Sequence, residues 1–283
     1  MKCKLVDVFA HKKLTGNGLT IFYDFDSLTK HEMLVLTREM KQFESIFLSK
    51  RAKDGSFRAH IFTVDEELDF AGHPLIGLGA HLHEEYGTNN LHTWDIELNQ
   101  QHVELTSKPY ADYYQVTMDQ GKPFFIQEYR ADELDEIITA MSLKQTDIAP
   151  YPLEVISTGL PYLIVPIVRG IEDARIVVNN FEALLEKHGA KFAYILDINN
   201  FEGRTWDNQG NVEDIATGSA AGPSAAFLFK HKLVSGKQSF TLSQGRFLER
   251  PSKIGINLII DSDTISNILV HGQVCKIANI EFV

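Results

Sequence analysis

Two stretches constrain the fold of this chain more than any others: "GHPLIGLGAHLHEE", residues 72–85, and "GSAAGPSAAFLFKH", residues 218–231. Each reads as a helix that is apolar nearly all round in its first turns. A helix of that kind is buried on most sides, and its small side chains let other backbone come close. An offset of 146 residues sets Gly72 on Gly218, His73 on Ser219 and Ala80 on Ala226. With 283 residues, 44% of them hydrophobic, the chain is long enough for two domains of about 140 residues each. The expectation is an α+β chain built by internal duplication, with strands wrapped around one central helix in each half.

The remaining pattern supplies those strands. Stretches that alternate, or are rich in Val, Ile, Phe and Tyr, predict strands at 3–10, 19–24, 42–49, 57–64, 92–106, 112–119, 153–156, 162–168, 192–198, 201–206, 238–243, 253–260 and 273–283. Other helices are predicted at 29–41, where Thr29 and Glu32 form a capping-box pattern, at 131–142, and at 180–188 with Gly189 as its stop.

The helix mouths carry the chemistry. The first N–H groups of a helix lack intrahelical partners and carry partial positive charge, and a glycine there removes the Cβ that would keep a ligand away. Gly72–His73 and Gly218–Ser219 would then be the walls of a site for a small anion such as a carboxylate. The alternative is that both glycines only permit close packing. Asp69 and Asp214 precede the two turns; Asp214 either orients a ligand amine or hydroxyl, or accepts hydrogen bonds from its own turn. In "KQFESIFLSK", residues 41–50, strand phasing sets Glu44 with Ile46 and Leu48 on one face and Phe43, Ser45 and Phe47 on the other. Both faces are largely apolar. Glu44 is either an edge residue reaching water or a carboxylate in a poorly hydrated place, a setting suited to proton transfer near neutral pH.

Several classes are disfavoured. The net charge of −11 repels phosphate backbones and anionic membrane surfaces, and no uncharged apolar window is long enough to span a bilayer. The first residues alternate like a strand rather than a signal peptide. Two cysteines, Cys3 and Cys275, fit small core residues in a reducing cytoplasm. His81 and His83 point about 200° apart on their helix and cannot share one ion; with His92 they read as a solvated face. "TGNG", residues 15–18, reads as a turn rather than a dinucleotide fingerprint. Ser219 directly follows Gly218, so this is not a nucleophile elbow; hydrolysis would need a base such as His73.

The chain resembles the phenazine-biosynthesis isomerase (PhzF-like) family, within the diaminopimelate-epimerase-like fold. The matching segments are "VDVFAHKKLTGNGLTIFYD", "REMKQFESIFL", "FRAHIFTVDEELDFAGHPLIGLGAHL", "GRTWDNQGNVEDIATGSAAG" and "SQGRFLERPSKIGINL", spread from one end to the other. The resemblance implies two β-barrel-like domains, each around a central helix, with the active site between them. They are expected at 1–111 plus 272–283 and at 112–271, with the last strand returning to the first domain. It also implies a homodimer, a small carboxylate substrate, and no metal or organic cofactor. The family's proton-shuttling glutamate matches Glu44, with Phe47 in the motif. His73 and Asp214 match its other catalytic positions; Gly72, Gly218, Ser219 and Gln244–Gly245 match substrate-binding ones. Three departures bear on substrate identity: Ile215 for a proline, Trp206 for a phenylalanine, and "GNGLTI" for "GNPAAV". Related epimerases carry a cysteine at each helix mouth, where this chain has His73 and Ser219, which disfavours racemisation by two thiols. The implied activity is a cofactor-independent double-bond migration with one carboxylate. The alternatives are a non-catalytic small-molecule or protein-binding module, or an epimerase of an amino-acid-like substrate.

Overall fold

The computed structural model describes residues 1–25, 27–49, 56–234 and 238–282. Val283, the end of the last expected strand, lies outside them. The chain divides into unit 1, residues 1–119 and 271–283, and unit 2, residues 120–270. The first cut falls after 119 rather than 111 because the strand ending there pairs back into unit 1.

Unit 1 contains strands β1 (Lys2–Val8), β2 (Asn17–Tyr23), β3 (Glu44–Leu48), β4 (Phe57–Thr63), the short β5 (Glu67–Leu68), β6 (His92–Glu97), β7 (His102–Pro109) and β8 (Tyr114–Asp119). Its helices are α1 (Lys30–Met40) and α2 (Gly72–Tyr86). The long last strand, β16 (Thr264–Glu281), enters from unit 2 and closes a ring, β1-β2-β3-β4-β6-β7-β8-β16 and back to β1. The segment expected as one strand over 92–106 is the β6–β7 hairpin. The polar "NQQ" after Leu98 turns the chain, with Leu98 N donating to Gln101 O at 2.8 Å. Helix α1 has the expected capping box between Thr29 and Glu32. It covers Phe22, Phe47 and Phe62 through Met33.

Helix α2 fills the ring, and every residue from Gly72 to His83 is buried. A Cβ at Gly77 would overlap Leu19, and one at Gly79 would overlap Val116. The small-residue pattern therefore lets barrel walls touch the helix. This enclosure corrects the reading of His81 and His83 as a solvated face: they are 2% and 4% exposed. His83 is satisfied by Ser107 Oγ and the Thr88 carbonyl. His81 Nδ1 has no hydrogen-bond partner. Cys3 and Cys275 are buried thiols in unit 1, as expected.

His81 makes the fold acid-sensitive. Burial, reinforced by the Lys4 ammonium and opposed by Glu84, pushes it down to about 3. An unfolded histidine takes a proton near pH 6.5. Between those values the unfolded chain binds more protons, so stability falls as pH drops, by about 1.4 kcal/mol per pH unit. His81→Leu is expected to remove about 2 kcal/mol of the loss between roughly pH 6 and 4. Urea titrations of both proteins across that range provide the check; parallel pH profiles would refute it.

Unit 2 repeats the plan with β9 (Phe124–Tyr129), β10 (Leu153–Ser157), β11 (Pro161–Ile167), β12 (Phe192–Asp197), β13 (Glu202–Arg204), β14 (Ser239–Gln244), β15 (Ser252–Asp261) and the first part of β16. Its helices are α3 (Asp135–Ala140), α4 (Phe181–Glu186) and α5 (Gly218–Lys230), α3 being preceded by a 3₁₀ turn. From β10 to β15 the pairing sense is antiparallel, parallel, antiparallel, parallel, antiparallel; unit 1 has the same order along β1, β2, β3, β4, β6 and β7. This shared order is the structural trace of the repeat. Helix α5 is buried from Gly218 to Leu228. The sheet runs β16-β15-β14-β13-β12-β11-β10-β9, and among the described residues no ladder joins β9 to β16. The sequence pattern did not predict β9.

Candidate functional site

In unit 1 the pleat of β3 sets Glu44, its first residue, among buried side chains, and Glu44 is itself 6% exposed. Of the two readings, a poorly hydrated carboxylate is therefore the correct one. Its Oε2 lies 3.0 Å from His73 Nδ1, with both side chains buried. His73 is the second residue of α2, and Gly72 the first. Asn17, which opens β2, brings Nδ2 to 3.4 Å from the same His73 nitrogen. Three segments far apart in sequence thus meet at the first turn of α2. A carboxylate against an imidazole nitrogen can hold one proton between them, and the imidazole ring fixes where the carboxylate points. The fold leaves Asp69 outside this cluster, on the surface.

In unit 2 the mouth of α5 is held by side chains. Asp214 is 4% exposed, and its Oδ2 accepts from Thr217 Oγ1 at 2.6 Å. Gln244, 1% exposed, binds on both sides of its amide. Its Oε1 accepts from Thr217 N and Tyr194 Oη, both at 3.1 Å. Its Nε2 donates to Asp214 O at 2.8 Å and Thr217 Oγ1 at 2.9 Å. Burial, with Asp214 and Glu202 nearby, pushes the Tyr194 hydroxyl well above the usual phenol range, so it serves as a donor. Gly245 turns the chain after Gln244 with φ +84°, where a Cβ would overlap the carbonyls of Arg250 and Ile215. Ser219 Oγ lies 2.8 Å from Tyr162 Oη. Gln120 Nε2 donates to Gly218 O at 2.8 Å, and Thr158 Oγ1 donates to Gln120 at 3.0 Å.

Neither helix mouth is closed by its own N-cap. Ala71 has no side chain for the task, and Thr217, which ordinarily would cap, turns its hydroxyl to Asp214 instead. Neither Ala71 nor Thr217 thus uses its own side chain to cap the amides of the first turn, and Gly72 and Gly218 bring no Cβ to it. Such an end favours an anionic group.

The fold brings Glu44, His73 and Gly72 together in unit 1, and Asp214, Gly218, Ser219 and Gln244 together in unit 2. Sequence reasoning missed Asn17, whose "TGNG" context reads as a simple turn, and Tyr162, Tyr194, Thr217, Gln120 and Thr158. The repeat held a usable signal for one of them: Asn17 on β2 reaches the first turn of α2, and Tyr162 on β11, its counterpart strand, reaches the first turn of α5. Trp206 has a packing role. It and Phe247 lie 4.7 and 4.3 Å from the Arg204 guanidinium, which pairs with Glu213. Among the described residues no group of His, Cys, Asp and Glu is arranged to hold a metal ion, and no helix is long and apolar enough to cross a membrane.

Comparison with known proteins places these clusters in context. The family model for phenazine biosynthesis-like proteins matches residues 6–279. A trans-2,3-dihydro-3-hydroxyanthranilate isomerase of Pseudomonas aeruginosa is 31% identical over 282 residues, covering 95% of this chain and 94% of the relative. Among solved structures, a predicted epimerase from Pseudomonas aeruginosa superposes with a TM-score of 0.93 at 43% identity, covering 100% of this chain and 99% of the other. A probable proline racemase from Agrobacterium radiobacter superposes with a TM-score of 0.62 at 12% identity, covering 100% and 92%, which shows a shared fold.

Proposed function

Because the chain belongs to the family of phenazine biosynthesis-like proteins, we propose that it is an isomerase moving a proton, and with it a double bond, on a small carboxylate metabolite. The observation that carries this reading is the buried Glu44–His73 contact of 3.0 Å at the start of α2. Glu44 takes a proton from carbon and returns it to another carbon of the delocalised anion. His73 holds the carboxylate in place and shares its proton. Gly72 and His73 offer backbone N–H groups to negative charge as it develops, and fixed donors of this kind cost no reorganisation during the reaction. Gly218, Ser219 and Asp214 are substrate-binding groups in the same reading, and Gln244 is the positioning group behind Asp214 and Thr217.

A proton shift by a carboxylate needs no redox or electrophilic cofactor, and none is proposed. Two-thiol epimerisation finds no support: Cys3 packs with Phe22 and Phe47, and Cys275 Sγ lies against the Ala10 carbonyl, 3.7 Å away.

The test is isotope exchange. Trans-2,3-dihydro-3-hydroxyanthranilate, the compound in the relative's name, is incubated with the protein in deuterated water beside a panel of small unsaturated acids. The expected result is deuterium in a product whose double bond has moved, followed by NMR. Thermal stabilisation by an acid without exchange would replace the reading with a binding module. Inversion of a stereocentre without bond migration would replace it with epimerisation.

A further inference from the structure

The 146-residue offset that sets Gly72 on Gly218 also sets Glu84 on Lys230 and Glu85 on His231, at the far ends of the two central helices. In each unit these helix residues meet a buried charge on β1 or on its counterpart β10. In unit 1 that charge is Lys4 on β1, 2% exposed, whose Nζ lies 3.1 Å from Glu84 Oε2 and 3.0 Å from Glu85 Oε1. In unit 2 it is Glu154 on β10, 1% exposed, whose Oε2 lies 2.7 Å from Lys230 Nζ and whose Oε1 meets His231 Nε2.

The neighbouring strands match as well. Strand β16 runs beside β1 and brings Lys276 Nζ to 2.7 Å from Glu84 Oε1. Strand β9 runs beside β10 and brings Glu128 Oε2 to 2.9 Å from Lys230 Nζ. Sheet lysines thus hold helix acids in one unit, and sheet acids hold a helix lysine and histidine in the other. The positions correspond and the signs are reversed.

Stability alone does not account for this reversal. A buried ion pair gives up so much hydration that apolar residues of similar volume often serve as well. A duplicated chain has a second requirement. Both sheets wrap a small-residue helix of one design, so α2 and α5 compete for each sheet during folding, and chains built of repeats misassemble in this way. With α5 in the first sheet, Lys4 and Lys276 would meet Lys230 and His231. With α2 in the second, Glu154 and Glu128 would meet Glu84 and Glu85. Like charges brought together at such a place exclude the wrong partner. Lys230 supplies a cation whichever protonation state His231 takes.

We propose that the two charge sets form a key that assigns each central helix to its own sheet. None of these residues belongs to the proposed catalytic site, so the inference stands or falls apart from the isomerase reading.

Refolding of the intact chain from urea tests it, with native yield read by gel filtration and circular dichroism. Lys4→Glu with Lys276→Glu sets sheet acids against Glu84 and Glu85, and is expected to lower the folded-to-unfolded ratio at least about 100-fold. Adding Glu84→Lys and Glu85→Lys restores opposite charges within unit 1, and the melting temperature of the native fraction is expected to return close to that of wild type. Both units then carry the same signs, so native refolding yield is expected to fall about twofold or more, the remainder being misassembled chains. Inverting unit 2 as well, by Glu128→Lys, Glu154→Lys, Lys230→Glu and His231→Glu, makes the two sets different again and is expected to recover the wild-type yield. A unit 1 inversion that refolds as well as wild type overturns the inference, because the pairs would then only stabilise their own unit. So does a double inversion whose yield stays low, or a unit 1 inversion that melts no higher than the Lys4/Lys276 variant, because the charges would then not act as a set.

Discussion

Glu44→Gln is expected to leave a folded protein with almost no turnover. The substitution keeps the size and shape of the side chain and removes its ability to take a proton. Positioned general acid–base groups contribute about 10²–10⁴ in rate. Here one carboxylate both takes and returns the proton, so the upper part of that range is the expected loss in kcat. The fold has little reason to change. Glu44 begins β3, where its backbone pairs with Thr63 whatever the side chain, and a glutamine amide can still donate to His73 Nδ1. Product formation and deuterium wash-in, measured on wild type and variant alongside their melting curves, decide the matter. A variant with near wild-type rate would remove Glu44 from the mechanism. A variant that unfolds would show that the carboxylate is structural.

Gln244→Leu is expected to be the most destabilising single substitution at either cluster. The amide makes four hydrogen bonds at 1% exposure, to Tyr194, Thr217 twice, and Asp214. Leucine fills the volume but leaves the Tyr194 hydroxyl, the Thr217 N–H and the Asp214 carbonyl buried without that partner. Each stranded group costs about 1–3 kcal/mol, and partial relaxation brings the sum to about 3–5 kcal/mol. Tyr194 has nowhere to retreat, since its ring packs directly on Gly203. The turn from Asp214 to Thr217 would lose its anchor, so ligand affinity should fall with stability. Urea unfolding of Gln244→Leu against wild type measures the effect. A change below about 1 kcal/mol would mean the amide network adds no net stability.

The sequence was most legible where a physical requirement admits few residue types. A helix enclosed by a sheet must be apolar all round and small where walls touch it, so α2 and α5 stand out, and their matching offset announces the repeat. The glycines at 72 and 218 likewise follow from position. Phasing alone left Glu44 undecided between a wet edge and a dry interior. Covering by α1 on one face and α2 on the other settled it, and neither cover is local to β3. His81 and His83 misled for a related reason: composition places histidine at the surface, whereas ring closure around α2 placed both inside.

Local pattern by itself determined the two central helices, most of the strands and the duplicated plan, because periodicity and residue size act over neighbouring positions. Only the tertiary structure decided which polar groups meet. Asn17 with His73, Tyr162 with Ser219, and Gln244 with Tyr194 and Thr217 are pairings between remote segments whose single members look like ordinary turn or strand residues. It also decided that β9 stands at an open edge. A strand's own residues fix its alternation, but whether a neighbour covers it depends on where the rest of the sheet ends.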